Sequence, residues 1–218
     1  MKYDWIDEYL LRKPGVTKDL QAEWNWIRYN IGGKMFAAIC NDDDNKPYYI
    51  TLKTDPLEAE YLRKEYEDII PGYYMNKVHW SSVKADGNVP DETMKDILDN
   101  AYRLILHKQS KKLQKEILET AAKDDMITVC GSDCSTCYCY GKMCQGCNAL
   151  CGKVFHAPEG KECAIYNCCR TKNCYYSCAE CDQLPCKLIL EMRDPNMSDE
   201  EFMKDLDKRL ERLRNFEK

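Results

Sequence analysis

The chain concentrates its chemically reactive side chains in one segment, because all but one of its fifteen cysteines lie between residues 130 and 186. Cysteines that serve only as small hydrophobic residues are buried singly and show no such clustering. A cluster this dense predicts either a disulfide framework or a set of metal sites. The choice between them depends on the compartment in which the protein folds.

The N-terminal residues favour metal over disulfides. Asp4, Asp7 and Glu8 occupy positions where a secretory signal would need an apolar core. No run approaches the ~18 apolar residues of a membrane-spanning helix. We therefore expect a cytoplasmic protein with no membrane contact, and a reducing cytosol disfavours stable disulfides. Disulfides remain the alternative.

Three Cys-x-x-Cys pairs give the metal hypothesis its spacing. Two intervening residues let a tight turn direct both thiolates at one ion, and zinc prefers four such ligands in a tetrahedron. The predicted ligands are the cysteines of these pairs and four others, namely Cys130, Cys134, Cys137, Cys144, Cys147, Cys163, Cys168, Cys178, Cys181 and Cys186. We expect about two zinc ions; an iron–sulfur cluster is the alternative, because thiolates suit both metals.

Spacing alone leaves the pairing of these ligands open. The preferred scheme has two four-cysteine sites, formed by Cys134, Cys137, Cys144 and Cys147 and by Cys163, Cys168, Cys178 and Cys181. Cys130 and Cys186 are alternates, and a crossed pairing is also possible. Four further cysteines have no assigned role: Cys139, Cys151, Cys169 and Cys174. His156 is interpreted as an exposed loop residue.

Hydrophobic periodicity in the first 120 residues predicts an α+β domain with an antiparallel sheet and flanking helices. Strands are expected over residues 26–31, 35–40, 48–53 and 75–83. Helices are expected near residues 5–10, over 55–66, where Asp55-Pro56 supplies a cap and a first-turn proline, and over a segment that carries Met94 to Ile105.

Several motifs in this region have a recognisable order. They are Gly33-Lys34-Met35-Phe36-Ala37, Leu52-Lys53-Thr54-Asp55-Pro56, Leu62-Arg63, Pro71-Gly72-Tyr73-Tyr74-Met75-Asn76-Lys77 with His79-Trp80, and Ala101-Tyr102. Over nearly all of residues 1–115 the chain resembles the MmcQ/YjbR family. The resemblance implies a CyaY-like fold and a DNA-binding role, with no established reaction. Ala101 departs from the serine that is common there in the family.

The charged and aromatic side chains of these motifs are the candidate nucleic-acid contacts: Lys34, Lys53, Arg63, Lys77, His79 and Trp80. Such residues can hold phosphates and stack on an unpaired base. The alternative is that Trp80 packs in the core while the lysines are solvated. The net charge of -5 shows no general basic excess, so any contact with DNA would come from a local patch.

The cysteine-rich segment, about residues 127–190, is similar to a family of bacterial and archaeal domains with the motif Cys130-Gly131-Ser132-Asp133-Cys134. That resemblance implies metal binding, with zinc as the expected ion. We expect a small metal-stabilised domain over residues 126–218, because its large apolar residues are few. A C-terminal helix should start at the capping box of Ser198 and Glu201. Its apolar face should pack on this domain, with dimerisation as the alternative, through Phe202, Met203, Leu206, Leu210, Leu213 and Phe216.

Two classes of function are compatible with these features. The favoured one is a non-catalytic binding protein, in which a DNA-binding domain is joined to a zinc-binding module. The alternative is a thiol-based redox protein or other enzyme, which would need a cysteine of lowered pKa beside a cation. Cys169 beside Arg170, and Cys174 near Lys172, are the candidates for that role.

Overall fold

The computed structural model describes residues 1–215. The chain divides into two compact units, one ending at Ser110 and the other beginning at Lys111. Residues 111–120, which were expected to belong to the first domain, lie in the second unit.

The N-terminal unit is built on a six-stranded antiparallel sheet with the order β1-β2-β3-β4-β6-β5. The strands are β1 Val16–Gln21, β2 Trp26–Ile31, β3 Lys34–Asn41, β4 Pro47–Lys53, β5 Ile69–Pro71 and β6 Trp80–Lys84. Short turns join the first four strands in sequence. The long connection between β4 and β6 contains a helix and β5, which pairs with the far edge of β6.

Three helices accompany the sheet: α1 Ile6–Leu11, α2 Pro56–Glu65 and α3 Asp91–Leu106. The Asp55 side chain accepts a hydrogen bond from the Leu57 amide, and Pro56 occupies the first turn of α2, as the sequence predicts. The apolar face of α3 is buried and packs against β3 and β4. Its Tyr102 ring meets Phe36 edge-on at 6.0 Å between centroids. The predicted antiparallel α+β architecture is therefore confirmed.

The sequence predicts the central strands and misses the edges. Strand β1 is polar and mostly exposed, and β5 has only three residues, so neither carries an alternating apolar signal. The strand expected over residues 75–83 is wrong in its first part, because β6 begins only at Trp80. Residues before it form a turn in which the Asn76 side chain accepts hydrogen bonds from the Val78 and His79 amides.

The C-terminal unit consists of short helices and loops. Its helices are α4 Lys111–Ala122, α5 Ala164–Tyr166, α6 Lys187–Glu191 and α7 Asp199–Arg214, and a π-helical turn, Asn167–Lys172, continues α5. Within residues 111–215, β pairing is limited to the isolated bridges Ile127–Asp133 and Tyr140–Cys144. The predicted capping box is present, since Ser198 and Glu201 exchange hydrogen bonds at the start of α7.

The core of this unit is formed by α7 together with buried cysteines. Phe202, Leu206, Leu210 and Leu213 pack in one cluster with Val129, Ile165, Tyr166, Ile189 and five buried cysteines. The helix thus covers its own unit, as expected. Met203 was predicted on the apolar face but is 52% exposed, and Phe216 lies outside the described residues. Across residues 1–215 no helix has the length and apolarity that a membrane crossing requires.

Candidate functional sites

The cysteines of the described chain, residues 1–215, are all free thiols. Cys40 lies apart from the others, in the sheet of the N-terminal unit, 3.6 Å from the Thr51 hydroxyl. Burial raises the pKa of its thiol to about 11, so it is protonated at neutral pH. Cys40 is therefore a core residue of the sheet and has no part in the cysteine-rich sites.

Six cysteines form what we call the first cysteine group: Cys130, Cys134, Cys137, Cys144, Cys147 and Cys163. The Cys147 amide donates a hydrogen bond to the Cys134 sulfur at 3.4 Å. Burial raises the pKa of the Cys147 thiol, and the neighbouring sulfurs of Cys130, Cys163, Cys134 and Cys144 raise it further. Burial likewise raises the pKa of Cys134, with contributions from Cys144, Cys137 and Cys130. The loop thus brings these thiols within electrostatic range of one another.

Local hydrogen bonds shape the loop of the first group. Asp133 caps a short 3₁₀ turn by accepting a hydrogen bond from the Ser135 amide at 2.9 Å, and the Cys137 amide donates to the Cys134 carbonyl. The loop then rests on α7, because Arg209 donates to the Cys130 carbonyl at 3.2 Å. Gly131 has a φ of +81°, and a Cβ there would lie 2.4 Å from the Arg209 carbonyl oxygen.

Five cysteines form the second cysteine group: Cys168, Cys169, Cys178, Cys181 and Cys186. They line one cavity of about 30 Å³ whose remaining wall is largely apolar, formed by Ile165, Asn173, Tyr175, Leu184, Leu188 and Ile189. Cys178 begins a 3₁₀ turn with a Ser177–Glu180 capping box, and Cys186 stands at the start of α6. These thiols therefore come from three separate local elements.

Two buried arginines supply positive charge beside the second group. Arg170 is 1% exposed and Arg209 is 5% exposed. Arg170 donates to the Leu118 carbonyl at 3.2 Å and lies 4.3 Å from the Tyr176 ring centroid, while its Nε atom has no hydrogen-bond partner within the described part of the chain. Arg209 lies 3.7 Å from the Asp205 carboxylate on the same helix.

The pKa values of the neighbouring thiols Cys178 and Cys169 shift in opposite directions. A hydrogen bond from Cys169 lowers the pKa of Cys178, and the positive charges of Arg209 and Arg170 lower it further, against the effect of burial. The same hydrogen bond, together with burial, raises the pKa of Cys169. Cys178 therefore loses its proton more readily than Cys169.

The structure groups the predicted ligands differently from the preferred pairing. Cys163 contributes to the raised pKa of Cys147 in the first group and is absent from the cavity of the second group. Cys186, by contrast, lines that cavity. In the region up to residue 215, no three His, Cys, Asp or Glu side chains are arranged to hold a metal ion. His156 is exposed in a loop and its ring contacts Phe155. The metal sites thus stay a prediction.

The cysteines without an assigned role have distinct surroundings. Cys139 is fully buried in the core, and the pKa of Cys151 is raised by burial and by the nearby Glu119. The Cys174 thiol receives a hydrogen bond at 3.4 Å from Lys111, not from the Lys172 side chain that the sequence suggested. Cys169 lines the cavity of the second group beside its sequence neighbour Cys168. The spacing of the cysteines did not predict this position.

The candidate nucleic-acid residues differ in their surroundings. Arg63 links α2 to β6, donating to the Trp80 carbonyl at 2.9 Å and to the Ser81 hydroxyl at 3.0 Å. Trp80 is 8% exposed, and the Lys53 ammonium group lies 5.2 Å from its ring centroid. Its ring is therefore covered in this structure. Lys77 and His79 are exposed in the turn that precedes β6.

Three lysines nevertheless meet near the end of α3. Lys34 donates to the Lys108 carbonyl at 3.4 Å. Burial lowers the pKa of Lys53, and the charge of Lys108 lowers it further. Within residues 1–215, none of these three ammonium groups forms an ion pair with a carboxylate. We call Lys34, Lys53 and Lys108 the lysine cluster.

A row of aromatic rings in the same unit escaped prediction. Successive ring centroids lie 4.6–5.7 Å apart along the series Trp24, Trp26, Tyr74, Tyr73, Tyr49 and Tyr48. Trp24, Tyr73 and Tyr74 are more than half exposed. The row joins β2, β4 and the turn before β6, so only the fold brings it together; we call it the aromatic row.

Comparison with known proteins places the N-terminal unit in a family. The family model described as YjbR matches residues 11–104. The Escherichia coli K12 protein "Uncharacterized protein YjbR" is 32% identical over 96 residues, which cover 44% of this chain and 80% of that protein. "Uncharacterized protein YyaQ" of Bacillus subtilis is 24% identical over 111 residues, covering 45% of this chain and 93% of that protein.

Among solved structures, Deinococcus radiodurans protein DR2400, described as a DUF419 domain, is 29% identical, with a TM-score of 0.48. The alignment covers 52% of this chain and 86% of that one. The family match lies within the unit that carries the lysine cluster and the aromatic row. On the strength of its sequence identity over four-fifths of the E. coli relative, the chain belongs to the YjbR family.

Proposed function

We propose that the protein is a non-catalytic binding protein whose cysteine-rich unit is stabilised by metal ions held by thiolates, with zinc as the expected ion. The observation that carries this proposal is the gathering of eleven thiols into two groups, as defined above. Each group offers at least the four sulfurs that a structural zinc site needs. Thiols placed side by side without an ion would gain little, since they are weak hydrogen-bonding groups.

The charges around the second group support the same proposal. A zinc ion with four thiolate ligands carries a net negative charge, which is unfavourable in a buried site unless cations lie nearby. Arg170 and Arg209 are buried beside Cys178 and provide such charges. In the absence of an anion, the burial of Arg170 against a carbonyl and an aromatic ring would leave its charge poorly compensated.

Metal binding would also supply folding free energy that the apolar core provides only in part. The core of the C-terminal unit includes five buried cysteines beside its aliphatic and aromatic residues. Because ligating thiols must lose their protons, binding should weaken as the pH falls. The raised pKa values of Cys134 and Cys147 make this competition with protons stronger at these two positions.

Cobalt substitution tests this proposal directly. Protein unfolded and reduced with a chelator present, and then refolded with Co²⁺, should show the intense near-ultraviolet absorption of sulfur-to-cobalt charge transfer and the visible bands of a tetrahedral site. Saturation should occur at about two ions per chain. Iodoacetamide labelling provides the control, since thiols that hold metal should be protected. A featureless titration, with every thiol alkylated or found in a disulfide, would contradict the proposal.

For the N-terminal unit we propose single-stranded nucleic acid as the ligand class, on the basis of the lysine cluster and the aromatic row. The ammonium groups of these three lysines, which form no ion pair with a carboxylate in the described chain, can donate hydrogen bonds to phosphate oxygens. Exposed Trp24, Tyr73 and Tyr74 rings can stack on unpaired bases without a sequence preference. This ligand set replaces Trp80 and Arg63, which are occupied within the fold.

A gel-shift titration at increasing salt tests the second proposal. We expect single-stranded DNA to bind more tightly than duplex DNA, with an affinity that falls steeply as salt rises. The double variant Lys34→Glu/Lys108→Glu should weaken binding and reduce the salt slope by about one for each phosphate that the variant no longer binds. Lys64→Glu, on the exposed face of α2, is the matched control. No binding at low salt, or an equal decrease in the control, would defeat this proposal.

A further inference from the structure

The cavity of the second cysteine group has the size and lining of a site for one ion. Its volume of about 30 Å³ leaves room for a water-sized occupant. Five of its lining residues are cysteines, and the other side chains are mostly apolar. An apolar wall excludes competing oxygen ligands, which leaves sulfur as the donor for anything bound there.

We infer that this cavity binds one thiophilic divalent metal ion through Cys168, Cys178, Cys181 and Cys186, while Cys169 stays outside the ligand set. The inference rests on the proposed function and deepens it, because it assigns one site's ligands. It also changes the pairing expected from sequence, since Cys186 replaces Cys163. Cys163 is absent from the cavity wall and lies within range of Cys147 in the first group.

The geometry separates the four ligands from the fifth thiol. The Cys169 thiol donates its proton in a hydrogen bond to the Tyr175 carbonyl oxygen at 3.6 Å. A thiol that uses its proton in this way is a poorer ligand than its neighbours, because a ligating thiol must lose its proton. Cys168 and Cys178 contribute from the π-helical turn and the capped 3₁₀ turn. Cys181 ends that turn and Cys186 precedes α6.

Charge and local structure adapt the cavity to an anionic complex. Arg170, which follows Cys169 in the π-helical turn, is almost fully buried and places a positive charge close to the cavity wall. The Asn173 side chain donates to the Cys168 sulfur at 3.5 Å, which gives this ligand a hydrogen bond. Since no three of these side chains are arranged to hold an ion in the structure, binding requires the sulfurs to turn towards a common point.

Metal stoichiometry of single variants tests this assignment. Zinc per chain would be measured by elemental analysis and by native mass spectrometry of the full-length protein purified under reducing conditions. Cys168→Ser, Cys181→Ser and Cys186→Ser should each lower the content by one ion. Cys169→Ser and Cys40→Ser should retain the wild-type content, since the first preserves a donor and the second lies in the other unit.

A conservative variant covers the case in which a serine variant fails to fold. Cys186→His keeps a ligand at this partly exposed position, so it should retain the ion and weaken the sulfur-to-cobalt absorption of the cobalt form. Full metal content in Cys186→Ser, or the loss of an ion in Cys169→Ser, would overturn the ligand assignment while leaving the proposed function intact. Wild-type protein that holds no metal would overturn both.

Discussion

Gly131 shows how one residue determines the position of the cysteine loop. It follows Cys130, adopts a left-handed backbone conformation and lies against the carbonyl of Arg209 on α7. The same turn of α7 binds the loop through Arg209 and Arg212, which donate to the carbonyls of Cys130 and Gly131. The glycine of the Cys-Gly motif is therefore needed for close contact with the helix as well as for its backbone angle.

The variant Gly131→Ala should destabilise the C-terminal unit by about 3 kcal/mol or more, because a Cβ would lie 2.4 Å from a backbone oxygen that cannot move away without displacing α7. Gly141→Ala is the matched control. Gly141 has a similar φ of +74° but no atom within 4 Å of its Cβ position, so its replacement should cost only about 1 kcal/mol. Urea unfolding measures both variants; equal destabilisation would show that the approach to Arg209 is unimportant.

For single residues, the sequence predicts that cysteines are the metal ligands but not which cysteines share a site. Cys-x-x-Cys spacing shows which sulfurs belong to a common turn, because that contact is local. The assignment of Cys163 and Cys186 to different groups depends on where separate loops lie, which spacing does not encode. The aromatic row is another example, since Trp26 and Tyr74 are far apart in sequence but their ring centroids lie 5.7 Å apart.

At the scale of elements, buried carboxylate contacts connect α4 to the segment before the π-helical turn. Glu162 forms an ion pair with Lys115 of α4 and accepts hydrogen bonds from Asn167 at 3.0 Å and Thr171 at 2.8 Å. Its side chain is only 12% exposed. Burial alone would raise the pKa of Glu162, but the three donors outweigh it and lower the pKa below its usual 4.5.

The variant Glu162→Gln should therefore destabilise the C-terminal unit by about 2 kcal/mol at neutral pH. Since the folded-state pKa is below the unfolded value, this contribution is complete above pH 4.5 and disappears as the pH falls through the folded-state pKa. The difference between wild type and variant should shrink accordingly in unfolding curves below pH 4.5. Glu159→Gln, an exposed residue of the same loop, is the control. A difference that is independent of pH would contradict the assignment.

The elements predicted from sequence are those that carry an internal pattern. Runs of apolar and aromatic residues mark β2, β3 and β4, and the capping residues define the starts of α2 and α7. By contrast, β1 is a polar edge strand whose position depends on pairing with β2. The short helices of the cysteine-rich unit are likewise determined by tertiary contacts, because three to six residues carry too little periodicity.

At the scale of the whole molecule, the two units differ in what stabilises them. The N-terminal unit has a continuous six-stranded sheet covered by α3 and belongs to a family whose E. coli relative matches over 80% of its length. The C-terminal unit has short helices around a core that is rich in thiols. Metal removal should therefore affect the units unequally.

Hydrogen exchange with and without a zinc chelator would measure that difference. We expect amides in residues 111–215 to lose their protection when the chelator is added, while those of β2, β3 and β4 keep theirs. A fragment ending at Ser110 should remain folded, since it contains the complete sheet and its helices. Unchanged protection of the cysteine-rich unit after complete metal removal would contradict a stabilising role for metal.

The metal content of full-length protein purified under reducing conditions, without added metal, tests the central claim most directly. Elemental analysis should give about two zinc ions per chain, and mass spectrometry after alkylation should find no disulfides. Iron with sulfide in place of zinc would change the identity of the cofactor but keep the thiolate sites. Less than about one metal ion per chain, with cysteines of residues 130–186 joined in disulfides, would contradict the account.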